Sequence, residues 1–369
     1  MSCCLNLSFN NLQLIIQNLA VFKEPDSRFR IIEPLKINDR RAVYLVTDRD
    51  SQPKVLKFLL KISTNDEQLW IYNFYKDLSH PNFCKIYSIE SIDRFYMVVQ
   101  EYIDGQTLGR YFESSPSKCG MYRTLFELIF ALDYIHCRSI VHGDIKPENI
   151  IVRKGCDVPV IIDYDMGKNL LMCNVQTSQL TKSPIRTAIR PFGTNLYMSP
   201  EMSNDLVYDI KTDIWSLGIT LYVCIIPGIQ NLRISDSTPN PNSTESTTYN
   251  KNISPTRASS DQSSQSGQSG QSSQNSQNSQ NSPTKLSRDT LYVRKSSMLT
   301  YDNLLYGFSL NKIAIQNGYG KLFYNTINAM LVKDYKKRPS ANTLSSIIIK
   351  SKYYIKYNTK IYSVEQNKS

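Results

Sequence analysis

HGDIKPEN, residues 142–149, is the stretch that decides the fold of this chain. It places an acid, a lysine and an amide side chain at fixed offsets, directly before the apolar run 150–152. Further along, residues 161–167 (IIDYDMG) put acids at the end of an apolar, strand-like segment. Carboxylate and amide oxygens are the hard ligands that Mg²⁺ prefers, and a lysine supplies a point charge for a phosphate. The two stretches together predict a site for a metal-bound nucleotide.

The spacing of these residues resembles the catalytic loop H-R-D-x-K-x-x-N and the D-F-G motif of eukaryotic-type serine/threonine protein kinases. Residues 192–201 (FGTNLYMSPE) resemble the end of an activation segment, and residues 213–218 (DIWSLG) resemble the start of a central buried helix. The resemblance covers residues 28–228 and 299–350. It implies an α+β, bilobal protein kinase fold, with a small antiparallel-sheet N-lobe and a larger, mostly helical C-lobe.

The resemblance implies roles for the polar residues of these stretches. Asp144 would be the catalytic base, and Lys146 would stabilise the charge on the transferring γ-phosphate. Asn149 and Asp165 would bind Mg²⁺ beside ATP, with Met166 as the apolar residue after the acid. Thr194 would help to position the acceptor hydroxyl. Taken alone, Asp144 is better explained as an ordinary turn acid, and the alternative for Asp163 or Asp165 is a surface turn acid, so only the combination favours chemistry.

The resemblance also implies an ATP site that spans both lobes. Lys57 ends the run Val55-Leu56-Lys57, which is similar to V-A-I-K on the third strand, and would pair with the α- and β-phosphates. Val55 would lie over the adenine and Ile151 below it. Residues 100–103, with Glu101 and Ile103, resemble the hinge whose backbone binds the adenine edge.

Three further residues have structural roles by the same resemblance. Glu201 is expected to pair with Arg338 across the predicted insertion, and Asp213 is expected to hold the backbone of the catalytic loop. A buried Arg–Glu pair is costly to break, so these residues are predicted to stabilise the C-lobe.

The glycine-rich loop of the family is missing. No glycine lies between Met1 and Asp104, and the three glycine positions fall on Lys36, Asn38 and Arg41. Glycine matters there because backbone N–H groups must approach phosphates closely. The basic residues of this loop, which are Lys36, Arg40 and Arg41, are expected to substitute partly by charge.

The glutamate that usually partners the third-strand lysine is ambiguous. Counting back from residues 80–82, the usual register lands on Ile71, whereas Glu67 lies one helical turn earlier on the same face. We predict Glu67 as the partner of Lys57; the alternative is a Lys57 without this carboxylate. Gly143 replaces the arginine of H-R-D, so control through a phosphate bound to that arginine is not expected.

Composition divides the chain into segments. Residues 1–27 form an N-terminal extension with a short helix docked on the domain, residues 28–103 the N-lobe and residues 104–228 the first part of the C-lobe. Residues 229–298 are rich in Ser, Gln and Asn and are predicted to be disordered, because they have too few apolar side chains to offset the entropy of ordering. The C-lobe resumes over residues 299–355, and residues 356–369 form a tail.

The overall composition limits the partners and the compartment. The chain has 369 residues, 41% of them hydrophobic, and a net charge of +11, which favours acidic partners. No nucleic-acid-binding motif is visible, so the expected partner is a protein substrate, with the chain a monomer or weak oligomer. Eight cysteines without a C-x-x-C motif and only three histidines make a zinc site improbable. We expect a reducing, intracellular compartment, the cytoplasm or alternatively a plastid stroma, and no transmembrane segment.

These features favour an active protein serine/threonine kinase. The alternative is a pseudokinase that senses nucleotide or binds a partner without turnover, which the missing glycines favour and the retained catalytic residues oppose. A kinase-fold enzyme acting on small molecules is a third hypothesis. The peptide-docking tract at residues 192–201 opposes it.

Overall fold

The structure is a computed structural model of the chain. It describes residues 13, 15–23, 27–38, 41–175, 185–186, 195–205, 207–225 and 320–354. The predicted insertion at residues 229–298, Arg40 and Thr194 lie outside the described residues.

A five-stranded antiparallel sheet forms the N-terminal part of the protein. Its strands follow the order β1-β2-β3-β5-β4, and their bounds are Phe29–Ile37 (β1), Arg41–Asp48 (β2), Pro53–Leu60 (β3), Ile86–Ile92 (β4) and Phe95–Glu101 (β5). Side chains of β2 alternate between buried and partly exposed, with Ala42, Tyr44 and Val46 buried. This period of two is typical of a strand with one face on a core.

The segment before the sheet packs on it, as predicted. Ile16, Leu19 and Val21 are buried in the same apolar cluster as the side chains of β2, β3 and β5. Phe22 extends this cluster, with its ring centroid 6.0 Å from that of Phe58. Residues 15–22 therefore cover one face of the sheet that would otherwise expose apolar surface to water.

One helix crosses the sheet. Helix α1, Asp66–Asp77, begins at Asn65, whose side-chain oxygen accepts a hydrogen bond from the backbone N–H of Gln68 at 2.8 Å. Such a cap satisfies one of the unpaired amides of the first turn. The inward face of α1 carries Ile71, Tyr72 and Tyr75, all buried. This face packs against Tyr164 and Asp165, where the candidate site lies.

Helices dominate the described residues after Thr107. Their bounds are Leu108–Glu113 (α2), Lys118–His136 (α3), Leu170–Val175 (α4), Pro200–Asp205 (α5), Ile210–Ile225 (α6), Lys321–Met330 (α7) and Ala341–Ile349 (α8). Nearly every residue of α6 from Thr212 onward is buried, as expected for a helix that is apolar on all sides. Among the described residues, no helix is both long and apolar enough to cross a bilayer.

Short strands frame the stretch HGDIKPEN. Strand β7, Ile140–Val141, ends just before it, and strand β8, Ile150–Arg153, begins just after it. Strand β8 lies between Gly105–Thr107 (β6) and Pro159–Ile161 (β9), and β7 pairs with Lys168–Asn169 (β10). A last antiparallel pair joins Ile185–Arg186 (β11) to Val207–Tyr208 (β12). The catalytic loop is thus fixed at both ends by strand pairing.

We predict that the docked N-terminal segment stabilises the sheet. Replacing Ile16 by Ala should lower the free energy of unfolding by roughly 2–4 kcal/mol, because a fully buried side chain is removed and leaves a cavity. Urea denaturation would measure the change. The matched control is Ile62→Ala, because Ile62 is 91% exposed. Equal losses from both variants would show that the segment does not contribute to the folded core.

Candidate active site

The catalytic loop is anchored by one buried carboxylate. Asp213, at the start of α6, is fully buried and accepts hydrogen bonds from the backbone N–H of His142 at 2.8 Å and of Gly143 at 2.9 Å. His136 lies 2.9 Å from the same carboxylate. Burial would raise the pKa of Asp213, but the hydrogen bond from His136 and the nearby charges hold it below its ordinary value. The structure thus forms the contact predicted for Asp213.

Gly143 fits this anchor for a steric reason. Its φ is +78°, and a Cβ added to it would lie 2.6 Å from the carbonyl oxygen of Met166. An arginine at this position, as in the family's H-R-D motif, would therefore need a different backbone.

Two polar side chains of HGDIKPEN converge on the carboxylate of a third, Asp144. Lys146 Nζ lies 2.7 Å from Asp144 Oδ2, and the Asn149 amide nitrogen donates to the same oxygen at 2.8 Å and to the Asp144 carbonyl at 2.9 Å. Because the Asn149 nitrogen is used in this way, its amide oxygen faces the other side of the group. The predicted cluster of Asp144, Lys146 and Asn149 is present in the structure.

Lys57 brings the sheet of the N-lobe to the segment after β9. Its ammonium lies 2.6 Å from Asp163 Oδ1 and 2.7 Å from Asp165 Oδ1, and its side chain is only 4% exposed. Burial lowers the pKa of Lys57 to about 8, although the charge of Asp163 acts in the opposite direction. Burial by itself would raise the pKa of Asp163, but Lys57 and Arg41 outweigh it and hold that pKa below its ordinary value.

The predicted pair of Lys57 and Glu67 is not formed. Glu67 Oε2 lies 2.7 Å from Lys168 Nζ, and Lys57 has Asp163 and Asp165 as its ion-pair partners among the described residues. Glu67 lies in the first turn of α1, and from there its carboxylate reaches Lys168 on strand β10 and not Lys57. Ile71, where the usual register falls, is apolar and buried.

Asp163 is the functional residue that sequence reasoning missed. It has a left-handed backbone, with φ +66°, and the preceding residue, Ile162, donates its N–H to the Asn149 carbonyl at 2.9 Å. Tyr164, which follows Asp163, is buried. Met166, which follows Asp165 and was expected to be the apolar residue after the metal-binding acid, is only partly buried. The sequence did contain a signal for Asp163: the apolar run 160–162 is followed directly by this acid and by an aromatic residue, Tyr164.

Tyr164 joins α1 to the catalytic loop through stacked rings. Its ring lies parallel to that of Tyr75 with centroids 3.7 Å apart, and His142 packs edge-on against its other side at 6.1 Å. The phenol donates to the Cys84 carbonyl at 2.8 Å. Burial raises the pKa of Tyr164 far above its ordinary value, so the hydroxyl stays protonated. The two acids on either side of Tyr164 are thereby fixed in position.

The glycine-less loop adds basic charge to the same place. Arg41 Nη1 lies 3.1 Å from Asp163 Oδ2 and also contacts Asp165 Oδ2. Burial and the charge of Arg41 lower the pKa of Lys36, while the charges of Asp163 and Asp144 act in the opposite direction. Arg41, at one of the positions where the family has glycine, thus places positive charge against the two acids. The substitution of charge for glycine at the phosphates stays a prediction.

The predicted adenine-binding residues surround the junction of the two lobes. Val55 is on β3 opposite Gln100 of β5, and the chain leaves the sheet after Glu101. The Glu101 carboxylate accepts a hydrogen bond from Arg153 at 2.7 Å. Ile103 is buried, and Ile151 is on β8, opposite Thr107 of β6. The contacts of these four residues with adenine remain a prediction.

The structure forms the expected pair of Glu201 and Arg338. The guanidinium binds both carboxylate oxygens, at 2.7 and 2.9 Å, and both side chains are almost fully buried. It also donates to the carbonyls of Val332 and Lys211, and lies 5.0 Å from the centre of the Trp215 ring. The pair fastens the segment after the predicted insertion to the start of α5.

The donor set suits a divalent cation bound together with phosphates. Among the described residues, no group of three or more His, Cys, Asp or Glu side chains could hold a metal ion by itself. The available oxygens are those of Asp163, Asp165 and the Asn149 amide, which are hard ligands. Mg²⁺ commonly takes one or two carboxylates and completes its coordination with water and substrate phosphates. The residues present therefore fit such an ion when a nucleotide supplies the remaining oxygens.

Comparison with known proteins agrees with this geometry. The model of the protein kinase domain family matches residues 41–348. Serine/threonine-protein kinase D of Synechocystis sp. is 36% identical over 138 residues, which cover 37% of this chain and 26% of that protein. Serine/threonine-protein kinase PrkC of Bacillus subtilis is 28% identical over 218 residues, or 55% of this chain and 31% of that protein.

A eukaryotic relative is similar over a longer stretch. Calcium-dependent protein kinase 5 of Plasmodium berghei is 26% identical over 235 residues, which cover 60% of this chain and 39% of that protein. The matched region thus spans between 26% and 39% of the length of these three relatives.

We predict that the pair of Glu201 and Arg338 is a major stabilising contact of the C-lobe. Arg338→Met should lower the free energy of unfolding by roughly 3–5 kcal/mol, because the Glu201 carboxylate would stay buried without its counter-charge. The double variant with Glu201→Gln should lose less than the sum of the two single losses, and urea denaturation would measure all three. Lys337→Ala, at a neighbouring side chain that is 80% exposed, is the matched control. Strictly additive losses would contradict a direct pair.

Proposed function

Because the chain belongs to the protein kinase family, we propose that it is a protein serine/threonine kinase that transfers the γ-phosphate of ATP to Ser or Thr hydroxyls. One observation carries the proposal: three separate parts of the chain meet at a single polar cluster. Strand β3 supplies Lys57, the segment after β9 supplies Asp163 and Asp165, and the catalytic loop joins them through the hydrogen bond from Ile162 to Asn149.

Positioning and charge account for the proposed chemistry. Phosphoryl transfer needs little covalent help from the protein, and most of the acceleration comes from alignment and electrostatic stabilisation. Asp144 orients the acceptor hydroxyl and accepts its proton. Lys146, already 2.7 Å from Asp144, stabilises the negative charge that develops on the transferring group. Lys57 binds the α- and β-phosphates from the opposite lobe.

The proposed metal is Mg²⁺, held by Asn149 and by a carboxylate of the pair Asp163 and Asp165. When bound, this ion would neutralise charge on the β- and γ-phosphates. The protein's own contribution is to keep the acids ionised. Lys57 and Arg41 do this for Asp163, whose pKa they lower.

The substrate class follows from the catalytic loop. A lysine two residues after the catalytic acid resembles the branch of the family that phosphorylates Ser and Thr, and the tract at residues 192–201 resembles segments that dock peptide substrates. Thr194 is proposed to help Asp144 and Lys146 position the acceptor hydroxyl. We therefore propose a protein substrate and a monomeric or weakly associating enzyme in a reducing, intracellular compartment.

We predict that Asp144→Asn abolishes most phosphate transfer while it leaves the fold intact. Loss of a general base typically lowers the rate by about a hundredfold or more. The measurement is incorporation of labelled phosphate from ATP and Mg²⁺ into a generic basic acceptor protein, with purified full-length chain. Asp77→Asn, the same change at an exposed residue at the end of α1, should leave the rate unchanged. Nucleotide binding by the wild type without any transfer would instead identify a pseudokinase.

A further inference from the structure

We infer that Asp165 is a positioning residue that holds Lys57 in place of the carboxylate missing from α1, while Asp163 belongs with the metal-binding oxygens. The inference rests on the proposed function and refines the assignment of the two acids. It concerns one question: which carboxylate keeps the buried ammonium of Lys57 aimed at the phosphates when a nucleotide is bound.

Lys57 cannot stay buried and charged without a counter-charge. Its side chain is 4% exposed, and transferring an ammonium group out of water is costly unless it is paired. In this protein α1 offers no carboxylate for the purpose. Glu67 is bound to Lys168, and Ile71 and Tyr72, which stand on the inward face, are not acids.

Asp165 is held from the side of α1. The Tyr72 hydroxyl donates to the same oxygen, Oδ1, that accepts the Lys57 ammonium at 2.7 Å. The side-chain amide of Gln68 donates to the backbone carbonyl of Asp165 at 3.3 Å. Both donors belong to α1, so this helix fixes an acid supplied by another segment. The Lys57 ammonium itself lies 5.4 Å from the centre of the Tyr72 ring, so Tyr72 contacts both members of the pair of Lys57 and Asp165.

Asp163 is held from the other side. The residue before it is hydrogen-bonded to the carbonyl of Asn149, so its backbone is continuous with the catalytic loop. Its carboxylate contacts both Lys57 and Arg41, as that of Asp165 does, but among the described residues it has no hydrogen bond to α1. Asp163 and the Asn149 amide are therefore the natural pair for a cation, and Asp165 remains with Lys57.

The position of Ile71 provides a decisive test. Ile71 packs against Gly167, where an added Cβ would lie 2.7 Å from Ile71 Cγ2. A carboxylate at position 71 would thus approach the site from the side of α1, two residues from Asp165 along the opposing segment. The variant Ile71→Glu should replace the function of Asp165 if that function is to hold Lys57.

The experiment measures the affinity of the full chain for a fluorescent ADP analogue, once with a metal chelator and once with Mg²⁺. Asp165→Asn should weaken binding by about ten- to a hundredfold under both conditions, the loss expected for a hydrogen bond between charged groups. Adding Ile71→Glu should restore most of the affinity. Ile71→Gln, of equal size and without charge, should not. Asp163→Asn should mainly raise the Mg²⁺ concentration needed for half-maximal binding.

Different outcomes would overturn the inference. Recovery of Asp165→Asn by excess Mg²⁺, or no recovery with Ile71→Glu in a protein that gives a cooperative unfolding transition, would make Asp165 a metal ligand or a residue of purely structural importance. If Ile71→Glu prevents folding, Asp165→Glu provides the second variant: it keeps the carboxylate and should retain more affinity than Asp165→Asn. Equal affinities for these two variants would contradict the inference.

A control without nucleotide separates this inference from the proposed function. Thermal unfolding of Lys57→Met, Asp165→Asn and the double variant forms a cycle that needs neither ATP nor metal. The destabilisation of the double variant should be smaller than the sum of the two single effects, because each single change removes the same contact. Additive effects would exclude the pair. Coupling in a wild-type protein that transfers no phosphate would leave the pair intact and reject only the kinase activity.

Discussion

The buried ammonium of Lys57 is the constraint on which the rest of the site depends. A charge this deeply enclosed requires opposite charge at contact distance, since water is not available to solvate it. Lys57 lies in the middle of strand β3, and the segment after β9 meets it there with Asp163 and Asp165. The two lobes are therefore joined by the same electrostatic contact that prepares the site for phosphates. Neutralising Lys57 or the two acids would lower the stability of the protein and would leave the remaining charges without a fixed orientation.

The catalytic loop is held in place by a second contact, which does not involve Lys57. Asp213 reaches it from α6, some 70 residues later in the chain, and binds two successive backbone amides. Helix α6 is held in turn by its buried surroundings, which include Trp215 beneath the guanidinium of Arg338. The position of Asp144 is thus set by contacts within the protein that do not involve a substrate. Such support is typical of sites that must hold reacting groups without rearrangement.

Electrostatic balance distinguishes this protein from the family pattern. A loop without glycine cannot bring backbone amides close to phosphates as easily, but Lys36 and Arg41 add positive charge at the positions where glycines are usual. The acids then have basic partners on two sides, Lys57 and Arg41. A nucleotide that enters would exchange some of these ion pairs for phosphate contacts. Attraction by side-chain charge would replace part of the close backbone approach.

The sequence by itself determined the elements and the local chemistry. The motifs predicted a small antiparallel-sheet lobe and a mostly helical one, and the spacing within HGDIKPEN predicted the cluster around Asp144, because its members are at most five residues apart. The roles of Asp213 and Arg338 were also predicted, from their motifs. Only the tertiary structure decided the partner of Lys57. Residues 67 and 71 share one face of a helix, and acids 163 and 165 both contact Lys57 from a segment with a left-handed residue at 163 and a turn at 165–166, so sequence periodicity cannot choose between them. The choice depends on how α1 is rotated and where Tyr164 packs, and both are set by contacts between segments far apart in the chain.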